Sequence, residues 1–158
     1  MVWGGRKLAA GAAMLLALGL APAGADSAPV ADAFSRFSTA DAIVLAVRAG
    51  AGKGLEVRLA VYDDPSTFLE TPASRHHATV GEDGLAIVRV EGLKAGDYSF
   101  VAYLDENGDG RLNRNALGKP KEPFIFSNDV KPKLKKPSFD ETKVSVAPGE
   151  VVVLTLRG

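Results

Sequence analysis

D-Y-S-F-V-A-Y-L, residues Asp97 to Leu104, is the stretch from which the fold is read. In an extended chain, successive side chains point to opposite faces. Tyr98, Phe100, Ala102 and Leu104 therefore share one face, and Ser99, Val101 and Tyr103 the other. Both faces carry apolar area, which is the pattern of a central strand in a sandwich. Directly behind it stands D-E-N-G-D-G-R-L-N, Asp105 to Asn113, the densest set of oxygen ligands in the chain.

Working outward, A-I-V-L-A-V from Ala42 to Val47 is continuously apolar and suits a buried central strand. Gly50 to Gly54 turns the chain, and Leu55 to Tyr62 alternates apolar and polar positions, so these two strands are expected to pair as a hairpin. Asp64 and Pro65 have the chemistry of a cap and a first helical position, which predicts a short turn with Phe68 and Leu69 closing one end of the core. His76 and His77 are neighbours and would face opposite sides of a strand, so they read as polar strand positions. Ala78 to Val80 and Leu85 to Val90 read as strands joined by a turn at Gly81 to Gly84, and Gly92 to Gly96 leads into the central strand.

Beyond the loop, Pro120, Pro123, Pro132 and Pro137 disfavour a central strand. Pro120 to Pro137 is expected to be a long Pro/Lys-rich excursion with at most a short edge strand at Phe124 to Ser127. Its lysines, Lys119, Lys121, Lys131, Lys133, Lys135 and Lys136, interleave with Phe124, Ile125, Phe126 and Phe139. Thr142 to Val146 and the run from Glu150 to Arg157 read as the last strands. Seven to eight short strands with hardly any helical period imply an all-β chain, an antiparallel β-sandwich.

The composition, 46% hydrophobic and 24% charged, is that of a globular domain. Arg6-Lys7, the apolar run Leu8 to Leu20 and the small residues Ala23-Gly24-Ala25 have the order of a secretory signal peptide, with cleavage after Ala25 or after Ala23. The apolar run is shorter than the roughly 20 residues a membrane span needs, and no span is expected after cleavage. The division is then 1–25 signal peptide, 26–40 lead-in, and 41–158 a single β-sandwich domain. Residues 26–40 are either a mobile lead-in or a short helix that packs Phe34 and Phe37 on the domain. A periplasmic or secreted location follows from that reading. The chain has no cysteine, so thiolate chemistry is excluded. Lys and Arg together number 19, matched by 19 Asp and Glu, and losing Arg6 and Lys7 tips the balance towards acid, which argues against nucleic acid.

The loop has the chemistry of a hard-cation site. Ca²⁺ takes about six to eight oxygens, supplied by carboxylates and amides at alternate positions of a curled loop with Gly at its sharpest bend. Asp105, Asn107 and Asp109 stand at relative positions one, three and five, Gly110 at six, Arg111 at seven with its carbonyl, and Asn113 at nine. Where a helix-loop-helix calcium site needs a bidentate Glu at position twelve, this chain has Ala116, and a strand rather than a helix enters. Glu122 is the next downstream carboxylate able to complete the shell if the turn at Gly118 brings it back. The alternative is an Asx-rich connection in which these side chains bond local backbone amides.

E-G-L-K-A-G-D-Y-S-F-V-A-Y-L-D-E-N-G-D-G-R-L-N, then G-K-P-K-E at Gly118 to Glu122, Ser127-Asn128, and P-S-F at Pro137 to Phe139, resembles the exported bacterial proteins of the domain of unknown function 2141 family. The resemblance runs from about Ala42 to Leu156. It implies an immunoglobulin-like or transthyretin-like sandwich and no assigned activity. Where the family often has Asp at the last loop position, this chain has Asn113, which lowers the ligand charge.

The functional expectation is an exported, non-enzymatic binding or accessory module with a Ca²⁺-binding loop. Residues 119–139 would meet an envelope protein, a polysaccharide or a lipid headgroup. The alternatives are a metal-assisted hydrolase using Asp105, Asp109 and Glu122, or a purely structural envelope protein. No nucleophile–base pairing is legible for the former.

Overall fold

The computed structural model describes residues 41–132 and 135–156. The expected signal peptide, 1–25, and lead-in, 26–40, lie outside the described residues. The strands are β1 (Ala42–Arg48), β2 (Glu56–Tyr62), β3 (Ser74–Thr79), β4 (Leu85–Glu91), β5 (Gly96–Asp105), β6 (Phe124–Phe126), β7 (Val144–Val146) and β8 (Val151–Thr155). A single helical turn, α1 (Phe139–Thr142), precedes β7. One sheet has the order β4-β1-β8; the other runs β3-β2-β5-β6, with β7 also on β5. The all-β sandwich read from the sequence is the architecture found.

The alternation of β2 and β5 explains how the two layers meet. Val57, Leu59 and Val61 of β2 join Tyr98, Phe100, Ala102 and Leu104 of β5 on the inner face, where Ile43, Leu45 and Val47 of β1 and Val88 and Val90 of β4 meet them. Phe100 is fully buried in this layer, and its truncation to Ala would cost about 3–5 kcal/mol. β5 is central as its two-faced pattern requires, because its outer face is covered as well. Val101, Tyr62, Phe126 and Phe139 form a second buried cluster there, with Phe68, Leu69, Phe124 and Val130 packed against it.

Several pairings differ from expectation. β1 and β2 do not form a hairpin: β1 pairs with β4 and β8, and β2 with β3 and β5. The connection passes from one sheet to the other, and buried Gly52 allows it by lying so close to Leu104 that a Cβ there would come within 2.9 Å of that side chain. β1 is apolar on both faces, so it takes the middle of its sheet. The β1–β8 ladder is parallel, with Leu45 opposite Val152, in an otherwise antiparallel set. The Gly81–Gly84 turn likewise joins strands of different sheets.

β3 begins at Ser74 and takes in both histidines, because pairing with β2 supplies the order that its polar sequence does not. Asp64 caps a turn by accepting from Ser66 N at 2.8 Å, but Phe68 and Leu69 cover the outer cluster rather than an end of the inner core. The Pro-rich segment supplies the expected edge strand as β6 and then returns across the sheet. Its Ser127 Oγ accepts from Phe100 N at 2.9 Å and donates to the Thr142 carbonyl at 2.5 Å, while Ser99 and Thr142 hydroxyls lie 2.7 Å apart. Asn128 and Asp129 adopt left-handed φ of 66° and 53° to make that turn, a conformation Asn and Asp tolerate better than most residues. Where a strand was expected from Thr142, Phe139–Thr142 form α1, fixed by a capping box in which Ser138 N donates to Glu141 Oε2 at 2.7 Å.

Candidate functional site

Asp105 ends β5 and stands directly opposite Glu56 of β2. Two carboxylates facing each other across a ladder repel, and Arg58, two residues along β2 on the same face, resolves the conflict. Its Nε donates to Asp105 Oδ2 at 2.9 Å and its Nη2 to Glu56 Oε2 at 2.8 Å. Asp105 is only 2% exposed, so its charge requires such partners. Oδ1 also accepts from Gly108 N, and Oδ2 from Gly110 N, both at 2.8 Å. Those two glycines have φ of 73° and 76°. Glycine suits both positions, and at Gly110 a Cβ would meet the Arg58 guanidinium at 3.3 Å.

Glu122 holds the loop from its other side. It is 6% exposed; Oε1 accepts from Glu106 N at 3.1 Å and Oε2 from Asn113 N at 3.0 Å. The turn at Gly118 thus brings this carboxylate back against the loop. Between the two anchors lies a small hairpin, with Asn115 N donating to Lys119 O and Lys121 N to Asn113 O, both at 2.8 Å, and a bridge between Arg114 and Pro120.

On the exposed rim, Asn107, Asp109 and Asn113 meet. Asp109 Oδ2 accepts from Asn113 Nδ2 at 2.9 Å and from Asn107 Nδ2 at 3.2 Å, and Oδ1 from Arg111 N at 2.8 Å. Asn113 Nδ2 also reaches the Arg111 carbonyl at 3.2 Å. The bond from Asn113, then that from the Arg111 amide, hold the Asp109 carboxyl below its ordinary range. The amide orientations follow from this network: Asn107 Oδ1 accepts from Asp109 N at 3.2 Å while its Nδ2 donates to the same residue's carboxylate, and the Asn113 amide turns its nitrogen to Asp109.

Of the six residues read as ligands, Asn107, Asp109, Arg111 and Asn113 come together through these contacts. Asp105 and Glu122 frame them, their oxygens engaged by backbone amides and, for Asp105, by Arg58. Among the described residues, no three His, Cys, Asp or Glu side chains gather as a metal-ion set. His76 and His77 alternate on β3, and His76 bonds Ser74 Oγ at 2.9 Å.

A family model described as an uncharacterized protein conserved in bacteria (DUF2141) matches residues 47–153. The chain belongs to this family. The matched DUF2141 region takes in the whole loop, Glu122, and strands from the end of β1 into β8, so the buried carboxylates belong to the family domain itself. Neither a curated protein nor a solved structure matches the chain.

Arg58 was missed from the sequence. It occupies an ordinary polar position of an alternating strand, and only the β2–β5 register places it beside Asp105. The S-F-D-E capping box at Ser138 to Glu141 carried a legible signal. The aromatics that interleave with the lysines fold back on the sheet: Phe126 and Phe139 are buried and Phe124 is half-buried, whereas Lys119, Lys121, Lys131, Lys135 and Lys136 are exposed.

Proposed function

We propose that the chain is an exported, non-enzymatic accessory or binding module. In this reading, the loop from Asp105 to Asn113, with Glu122, is a clip at one end of the sandwich that takes up Ca²⁺. The observation that carries this reading is the pair of buried carboxylates. Asp105 and Glu122 between them accept from four backbone amides, those of Gly108, Gly110, Glu106 and Asn113. Buried charge is costly and persists only where it is fully bonded. Here it preforms a loop on whose rim Asn107, Asp109, Asn113 and the Arg111 carbonyl concentrate oxygen. A loop already shaped loses little further entropy on binding an ion. Asp109 supplies the negative charge, and the two Asn side chains turn their oxygens inward as the ion enters. The exposed cations next to the clip, Lys119 and Lys121 among them, supply the partner-facing surface of the module.

The test is a calcium titration followed by thermal melting and calorimetry, with Asp109→Ala combined with Asn113→Ala as the comparison. Saturation at a hundredfold excess over Kd would stabilise the chain by about 2.7 kcal/mol, and the double variant would show no gain. A wild-type chain with neither a binding isotherm nor a Tm shift would end the calcium reading.

A further inference from the structure

The hairpin between the loop and Glu122 shows a feature that neither folding nor cation uptake uses. At its tip Leu117 is 83% exposed, the most exposed large apolar side chain among the described residues. Its position is built rather than loose. Asn115 Oδ1 accepts from Leu117 N at 2.9 Å and from Lys119 N at 3.0 Å, Gly118 N donates to the Asn115 carbonyl at 2.9 Å, and Arg114 Nη1 reaches the Gly118 carbonyl at 2.9 Å. The base of the hairpin is tied to buried Glu122 through Asn113 N. Arg114 and Lys119 flank this tip and Arg111 and Lys121 stand at the base of the hairpin, all four exposed; residues 111–121 carry no acidic residue, and Asp109 lies beside Arg111 at the base.

We propose that this tip docks on an anionic lipid surface. Leu117 would enter the boundary between headgroups and acyl chains, and the four cations would lie among the phosphates. An apolar tip on a basic hairpin matches a layer that is anionic outside and apolar beneath. A charged polysaccharide would satisfy the cations and leave Leu117 in water. The inference rests on the accessory-module reading and names the partner class of that module; it does not require calcium. It also replaces the broader 119–139 surface with a narrower one, since Lys131, Lys135 and Lys136 lie beyond β6 and outside the hairpin.

The strand pairings and buried clusters described all lie within residues 42–156, so the chain from residue 26 onward carries the domain without the apolar leader. Its co-sedimentation would be measured in EDTA with vesicles of phosphatidylglycerol and phosphatidylcholine, and with pure phosphatidylcholine. Binding is expected only with phosphatidylglycerol, weakening as salt rises. Leu117→Asp, and separately the combination Arg111→Gln, Lys119→Gln and Lys121→Gln, should weaken it at least tenfold. The combination Lys131→Gln, Lys135→Gln and Lys136→Gln should leave it within about twofold. Because the chain has no cysteine, an environment-sensitive dye on Leu117→Cys should shift to the blue on the same vesicles. A dye on Ala95→Cys, in the loop at the opposite end of β5, should not. Absence of binding, equal binding to phosphatidylcholine, or full binding by Leu117→Asp would overturn the proposal. A chain that ignores vesicles but still binds calcium would refute the lipid inference and leave the clip standing.

Discussion

Arg58 Nε donates to Asp105 Oδ2 at 2.9 Å, and this one contact joins the middle of a sandwich sheet to the start of its most polar loop. Asp105 is buried, Glu56 faces it across the ladder, and Arg58 lies between them. Removing the guanidinium leaves two opposed carboxylates, one without water. Arg58→Met should cost about 2–3 kcal/mol, reduced from the value for a fully buried pair because the arginine is partly exposed. Urea denaturation would measure it, and a loss under about 0.5 kcal/mol would show the charges to be screened.

Glu122→Gln makes a different demand. A glutamine keeps one acceptor oxygen and turns an NH₂ towards an amide donor, so either Glu106 N or Asn113 N loses its partner. The expected loss is about 1–3 kcal/mol. Hydrogen exchange should speed up at those two amides and at Lys121, whose N–H closes the hairpin on the Asn113 carbonyl. Unchanged exchange at all three would show that the loop is held by Asp105 alone.

Ser127→Ala should weaken the docking of the Pro-rich return on the sheet. The hydroxyl is fully buried and serves both Phe100 N and the Thr142 carbonyl. Leaving these groups unpaired costs about 1–3 kcal/mol, and Ser127→Thr would keep the hydroxyl if the added methyl is accommodated. Thermal melts of the two variants separate the hydrogen bond from packing: a loss for Ser127→Ala well above that for Ser127→Thr places the effect in the bond, and equal losses would place it in packing.

Stability should decline towards acid. Asp109 lies below its ordinary 3.8 because of bonds from Asn113 and the Arg111 amide, and Glu141 below 4.5 because of the Ser138 amide and hydroxyl. The folded chain thus holds these protons less tightly than the unfolded one. Their contribution is complete above the unfolded values and disappears as pH falls through the folded ones. His76 adds to the same slope higher up: burial, and then His77, hold it below 6.5, so stability declines as pH drops below that value. Carbon-detected titration of Asp109 in Asn113→Ala should show its pKa move back up; no movement would mean that the Asn113 bond is not formed in solution.

The two-faced pattern of Asp97 to Leu104 was enough to make β5 central, and alternation in Leu55 to Tyr62 was enough to make β2 half-covered. Proline placed β6 on an edge. What alternation does not carry is the identity of neighbours. Nothing local distinguishes a hairpin from a crossing between layers at Gly50 to Gly54, and so the sequence predicts a β1–β2 hairpin where β1 pairs with β4 and β8. The polar run Ser74 to His77 has little strand propensity of its own and becomes β3 only by bonding to β2.

The candidate site divides along the same line. The sequence by itself determined that oxygen-bearing residues alternate through Asp105 to Asn113, that glycines bend the loop there, and that a further carboxylate waits at Glu122, because spacing and residue type are local properties. Only the tertiary structure decided what those groups touch. The antiparallel register set Arg58 beside Asp105, and the hairpin folded Glu122 onto amides at both ends of the loop. Hydrogen bonding acts over about 3 Å, and residues 47 positions apart in the chain come within that distance only when the sheet forms.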